Sequence, residues 1–231
     1  MVTNTANITS LDTQVVRLKE LFNRQKYAYA QAVMPTAEQR IGHLKALKRV
    51  TIKFQDQLAA AINKDFSSRS KDETLIAEIL TSVESINMAI KKTRTWMKPS
   101  KRSVGILFAP AKNEVHYQPL GVIGIIVPWN YPIVLALGPL VAALAAGNRA
   151  MIKMSEFTPT LNKVFKEMIA EEFDENRVCV IEGEADAAIA FTELPFNHML
   201  FTGSTAVGRF VMAAAAKNLT PVTLELGGKS P

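Results

Sequence analysis

Glu225 stands between Leu224 and Leu226 and is followed at once by Gly227-Gly228, a carboxylate at the end of an apolar run that turns into paired glycines. In a buried strand a Glu is costly unless paired or used, and a pKa raised by burial suits a general base. An exposed carboxylate at a strand end is the other reading. Asn130, between Trp129 and Tyr131-Pro132, heads the most apolar helical stretch. Its carboxamide could donate to a developing oxyanion from a dry pocket, or it could cap the helix.

Two further groups have matching positions. Lys153-Met154-Ser155-Glu156 offers a cation and a carboxylate that could share the two hydroxyls of a ribose, or form a surface charge pair entering a helix. A carboxylate beside a ribose repels a 2′-phosphate, which favours NAD over NADP. Gly203-Ser204-Thr205-Ala206-Val207-Gly208 joins an apolar run to a helical one. A helix start there presents free N–H groups to a phosphate, though a tight turn with a capped helix explains the same residues. The usual G-x-G-x-x-G spacing is not met.

The elements that must hold these groups follow from the apolar pattern. Continuous apolar runs at 122–127, 150–154, 178–181, 199–201 and 222–226 alternate with helical stretches at 134–146, 160–172, 186–193 and 205–217. Strands without polar alternation are buried on both faces, and the helices between them supply the crossovers that parallel pairing needs. The reading is an α/β fold, a Rossmann-like doubly wound parallel sheet over 120–231. Every polar group named above then falls at the carboxyl end of a strand, where such sheets bind ligands.

Before it, residues 1–103 read as a helical region. One helix passes through Leu11, Val15, Leu18 and Leu21–Phe22, with Ser10 or Asp12 available as a cap. A second is expected from about Thr36 through Leu58, and a third from Asp72 to Trp96, ended by Pro99. These helices carry no legible chemistry. Residues 104–119 read as a hairpin-like excursion broken by Pro110 and Asn113.

Composition narrows the class. At 231 residues, 48% hydrophobic and 21% charged, the chain has the make-up of a globular protein. Its net charge of +6 is spread out apart from a run at Lys91, Lys92, Arg94, Lys98, Lys101 and Arg102, which reads as a solvated helix face and not as a nucleic-acid footprint. One cysteine, Cys179, excludes an internal disulfide or multi-cysteine metal site, and its place between Val178 and Val180 reads as an inert buried thiol. Gly228-Lys229-Ser230 is no phosphate-binding P-loop, because Thr223 stands where that motif needs glycine. His43, His116 and His198 are too scattered for a metal site or triad, and no Tyr-x-x-x-Lys pair exists. No secretory signal or bilayer-spanning run is visible, so a cytoplasmic protein without a membrane partner is expected.

Taken in order, Gln118-Pro119-Leu120-Gly121-Val122-Ile123-Gly124, Pro128-Trp129-Asn130-Tyr131-Pro132, Ala146-Gly147-Asn148, Lys153-Met154-Ser155-Glu156, Phe201-Thr202-Gly203-Ser204 and Leu224-Glu225-Leu226-Gly227-Gly228-Lys229-Ser230-Pro231 resemble the aldehyde dehydrogenase superfamily, and most of all its coniferyl aldehyde dehydrogenase branch. The resemblance implies NAD(P)-dependent oxidation of an aldehyde to a carboxylic acid through a cysteine thioester. It implies that Asn130 donates to the oxyanion and that Glu225 activates water. It implies that Val127, Pro128, Trp129, Lys153, Glu156, Gly203, Ser204, Gly208 and Leu226 contact the cofactor, with Gly208 allowing close helix packing. Residues 104–119 would belong to the oligomerisation region of a homo-oligomer. The family's nucleophile follows the Glu-Leu-Gly-Gly-Lys segment by a few dozen residues, so it is expected beyond this chain, with most of the catalytic domain, and Cys179 cannot replace it. The sequence is therefore expected to be the cofactor-binding half of a truncated aldehyde dehydrogenase fold, inactive alone. The competing readings are a nucleotide-binding module without catalysis and an interaction fragment whose edge at 222–226 lacks neighbours.

Overall fold

The computed structural model describes residues 5–229, with side-chain surroundings from Thr13 onward. Met1–Asn4, the Leu11 side chain and the Ser230-Pro231 end of the terminal motif lie outside the described residues. Helix α1 (Thr5–Ala30) begins upstream of Ser10 and Asp12, so neither caps its start. Leu18, Leu21 and Phe22 form its buried stripe. Helix α2 (Ala37–Lys53) starts with a capping box in which Thr36 Oγ1 accepts from Gln39 N–H at 3.2 Å and Gln39 Oε1 accepts from Thr36 N–H at 2.8 Å.

The single helix expected through Leu58 breaks at Phe54, and α3 (Gln55–Asp65) follows. On either side of the break α2 packs mainly on α5 and α6 and α3 mainly on α7. The helix expected from Asp72 to Trp96 is continuous but composite. It runs as α4 (Lys71–Thr74), a π-helical turn (Leu75–Leu80) and α5 (Thr81–Trp96). Such turns appear often at functional sites. The hairpin starts earlier than the 104–119 reading, because β1 (Ser100–Arg102) pairs antiparallel with β2 (Asn113–Val115) around a short turn at Ile106–Phe108.

The remaining chain alternates β3 (Val122–Ile126), α6 (Pro132–Ala146), β4 (Arg149–Lys153), α7 (Pro159–Ala170), β5 (Val178–Ile181), α8 (Ala185–Thr192), β6 (His198–Gly203), α9 (Thr205–Ala216) and β7 (Val222–Leu226). All five strands pair in parallel in the order β5-β4-β3-β6-β7. The winding goes outward from β3 through β4 to β5, then returns to β6, so the switch point lies between β3 and β6. Ile123, Ile125, Ala150, Ile152, Val178 and Val180 face a core shared with α6, α7 and the N-terminal helices. Val122, Met151, Cys179, Met199 and Phe201 face a second core closed by α1, α8 and α9. The doubly wound sheet and the helical region before it are both present. Among the described residues no helix is long and apolar enough to cross a membrane.

Candidate functional site

A cleft of about 910 Å³ opens across the carboxyl ends of β3, β4 and β6, between α8 and α9. The strand ends bring Val127, Pro128, Trp129, Lys153, Glu156, Gly203 and Ser204 into its lining. Ile189 on α8 and Val207 and Val211 on α9 form apolar walls. A second groove of about 570 Å³, between α5, α6 and the hairpin, lies away from the strand ends and gathers none of these groups.

Each polar group is held differently. Lys153 is almost completely buried, and its Nζ donates to the Met154 and Gly183 carbonyls, both at 2.7 Å. Burial pulls its pKa below the usual range, against the attraction of Glu156. An ammonium has three donors, so one remains for a ligand. Glu156 is exposed at the rim. Ser204 is the N-cap of α9, its Oγ accepting from Val207 N–H at 3.3 Å. The N–H groups of Thr205 and Ala206, in the first turn, have no acceptor within the helix and remain available to an anion.

Two glycines fit the backbone closely against the second core. A Cβ on Gly203 would lie 2.5 Å from Phe201 Cζ, and one on Gly208 would lie 2.8 Å from Leu226 Cδ2. The atom nearest Gly208 is thus the end of an exposed side chain on β7.

Two surroundings differ from those expected. Asn130 is exposed rather than enclosed in a dry pocket, and it does not cap α6, whose N-cap is Tyr131. Glu225 is also exposed, because β7 is the sheet's edge strand and its end has no cover among the described residues. The exposed strand-end alternative therefore describes its setting. It pairs in register with Thr202, and Gly227 N–H donates to Gly203 O at 3.3 Å, so the end of β7 runs beside the Gly203-Ser204 loop. Leu226 flanks the same loop, opposite Gly203 in the ladder, without lining the cleft.

Sequence reasoning missed a cluster behind Asn130. Arg69, 8% exposed, donates from Nη1 to the Asn130 carbonyl at 2.6 Å and from Nη2 to Glu73 Oε1 at 3.2 Å. Its guanidinium lies 4.2 Å from the Tyr131 ring centre and 5.1 Å from that of Phe66. Phe66 in turn contacts Trp129, with ring centres 5.9 Å apart. Glu78, fully buried in the π-helical turn, accepts at Oε2 from Ile133 N–H (2.7 Å) and Val134 N–H (3.2 Å) at the start of α6. Its Oε1 sits 3.5 Å from Arg69 Nη1, an ion pair without a hydrogen bond. Burial pushes the Glu78 carboxyl up to about 7, against the pull of Val134 and Ile133 N–H and Arg69. The signal was present, since Glu78 falls on one stripe with Ser82, Ile86, Ala89 and Thr93, where a charged residue is out of place.

Cys179 is buried against α1, with Gln25 Nε2 3.5 Å from its Sγ, and burial pushes its thiol up to about 12. It has neither the access nor the ionisation of a nucleophile.

Comparison with known proteins agrees with this architecture. The sequence model of the "Aldehyde dehydrogenase family" matches residues 11–231. "Probable coniferyl aldehyde dehydrogenase" of Pseudomonas aeruginosa is 54% identical over 231 residues, which is all of this chain and 48% of that protein. The substrate-bound state of Staphylococcus aureus AldH superposes with a TM-score of 0.89 at 36% identity, covering 92% of this chain and 46% of that one. A Mycobacterium tuberculosis aldehyde dehydrogenase complexed with NAD+ gives a TM-score of 0.81 at 26% identity over 94% of this chain and 44% of its own. The chain spans about half the length of the curated relatives it matches.

Proposed function

The chain belongs to the aldehyde dehydrogenase family, and from that premise we propose that its strand-end cleft binds a nicotinamide dinucleotide for oxidation of an aldehyde to a carboxylic acid. The observation that carries the reading is the convergence of Lys153, Glu156, Trp129 and the Ser204-capped start of α9 on one cleft. The residues fit the cofactor: free first-turn N–H groups and Gly203 suit the pyrophosphate, and the spare Lys153 donor and the Glu156 carboxylate suit the ribose. The apolar slot between Ile189 and Val207 suits the adenine. Val127, Pro128 and Gly208 shape the surrounding backbone, and Leu226 borders it. The rim carboxylate at Glu156 favours NAD over NADP, and the NAD+ complex of the Mycobacterium tuberculosis relative supports the same class of cofactor.

When bound, the nicotinamide supplies the hydride acceptor. Asn130 donates its side-chain N–H to the carbonyl oxygen as that oxygen gains charge. The Ile133 and Val134 N–H groups cannot do so, because Glu78 already occupies them. Glu225 takes a proton from the water that releases the acid from its thioester. The thiol that forms the thioester comes from outside residues 1–231, a reading supported by the burial of Cys179. The coniferyl aldehyde dehydrogenase relatives support an aromatic aldehyde as substrate.

The functional protein is read as a cytoplasmic homo-oligomer, with residues 1–103 as its helical part and 120–231 as the cofactor domain. The hairpin tip supports 104–119 as an oligomer contact, since Ile106 and Leu107 are 90% and 92% exposed. A second reading, cofactor binding without catalysis by this chain alone, is favoured by the same burial of Cys179.

Calorimetric titration of the chain with NAD and with NADP tests the cleft. NAD should bind more tightly, and Glu156→Ala should weaken it. A cooperatively folded chain that binds neither dinucleotide rules the assignment out.

A further inference from the structure

Resting on the reading of Asn130 as the oxyanion donor, we propose that Arg69 and Glu78 are positioning residues that together fix the backbone from which the Asn130 carboxamide projects. Asn130 lies in the link between β3 and α6, whose Trp129–Tyr131 stretch is exposed, so the packing of that stretch alone does not hold its backbone. Two side chains from more than fifty residues upstream do so instead. Arg69 holds the Asn130 carbonyl at 2.6 Å, while Glu78 holds the Ile133 and Val134 N–H groups at 2.7 and 3.2 Å. The backbone on which Asn130 rides is thereby tied at its own carbonyl and again three and four residues later.

The tie is stiff for physical reasons. Arg69 is buried with its guanidinium over both the Tyr131 and Phe66 rings, and its second nitrogen reaches Glu73, which also accepts from Tyr131 Oη at 3.2 Å. A planar guanidinium with fixed donors loses little further freedom when it binds a carbonyl, unlike a lysine. Glu78 is fully buried and anchored on the π-helical turn, so it cannot follow a drifting loop. An oxyanion donor misplaced by about 1 Å can cost on the order of a hundredfold in rate, which makes such remote fixing consequential.

Selective 15N-asparagine labelling of the chain tests the inference without turnover. The Asn130 side-chain resonance is assigned by its loss in Asn130→Ala. In the native chain it should give one ordered NH2 pair. In Arg69→Ala it should shift and gain fast motion, whereas Asn148 and Asn162, held by other bonds, stay as they were. Arg69→Lys should restore the order only in part. If Arg69→Ala is too unstable to study, Arg69→Lys and Glu78→Leu, which removes the acceptor for the Ile133 and Val134 N–H groups, carry the same comparison. An Asn130 resonance unaltered in the variants that fold overturns the proposal.

Kinetics of the catalytically active protein separate this inference from the functional reading. Asn130→Ala should lower kcat by about a hundredfold or more, and no change there sinks the functional reading itself. Arg69→Ala should lower kcat by about tenfold with little change in aldehyde KM, and add almost nothing to Asn130→Ala. Full additivity would mean that Arg69 only supports the fold, and would overturn its positioning role.

Discussion

The Lys153 ammonium bonds the Gly183 carbonyl at 2.7 Å, joining the end of β4 to the loop that leaves β5. Gly183 has φ +124, and a Cβ there would lie 2.4 Å from Gln14 Nε2, so α1 closes on this loop from behind. A residue expected to touch a ribose is therefore already a tie between two walls of the cleft. Lys153→Met should destabilise the chain by about 1–3 kcal/mol, because it strands the buried Met154 carbonyl and the half-buried Gly183 carbonyl. It should weaken cofactor binding at the same time. Glu156→Ala, at an exposed site, should leave stability within about 0.5 kcal/mol yet weaken binding by about tenfold. Urea unfolding and cofactor titration of both variants check the contrast.

Gly203→Ala and Gly208→Ala should behave differently although both meet a side chain under 3.0 Å away. The atom facing Gly203 belongs to the ring of Phe201, 4% exposed and locked in the second core. Overpacking there should cost about 1–3 kcal/mol. The atom facing Gly208 is a terminal methyl of Leu226, 42% exposed and able to turn away. That change should cost little, since alanine gains up to about 1 kcal/mol over glycine inside a helix. Equal losses in thermal melts of the two variants would contradict this account.

Glu78 makes stability depend on pH. Its folded pKa of about 7 lies above the usual carboxylate value of 4.5. The folded chain therefore holds a proton that the unfolded chain has released between those values. The contribution is fully present below the unfolded pKa and is lost as pH rises through the folded one. Glu78→Gln keeps a neutral side chain at every pH. Its Tm relative to the native chain should accordingly rise from about pH 5 to about pH 8. A constant difference across that range would show that the Ile133 and Val134 N–H groups and Arg69 offset the burial of Glu78 and that its folded pKa is not raised.

Cys179 should be silent toward thiol reagents. Its burial and its thiol pushed up to about 12 leave almost no thiolate near neutral pH. An aromatic disulfide reagent should label the native chain only on unfolding, then with one equivalent, as the sequence holds one cysteine. Rapid labelling of the folded chain would reopen Cys179 as a reactive centre.

The amino-acid sequence by itself determined the alternation of strands and helices from Val122 onward. Runs apolar on both faces, cut by turns, admit few arrangements other than a covered parallel sheet. It also determined which residues stand at the strand ends, because Lys153, Gly203, Ser204 and Glu225 lie where each apolar run stops. Tertiary structure alone decided what surrounds them. Among the described residues strand order leaves β7 at an edge and Glu225 exposed, which decides between the two readings that the window Leu224-Glu225-Leu226 leaves open. The pairing of Arg69 with Asn130, and of Glu78 with the start of α6, joins residues 61 and 55 apart along the chain. Local pattern encodes which face of an element seeks the core. Contacts at such separation are set only when the N-terminal helices dock on the sheet, and docking geometry is a property of the whole fold.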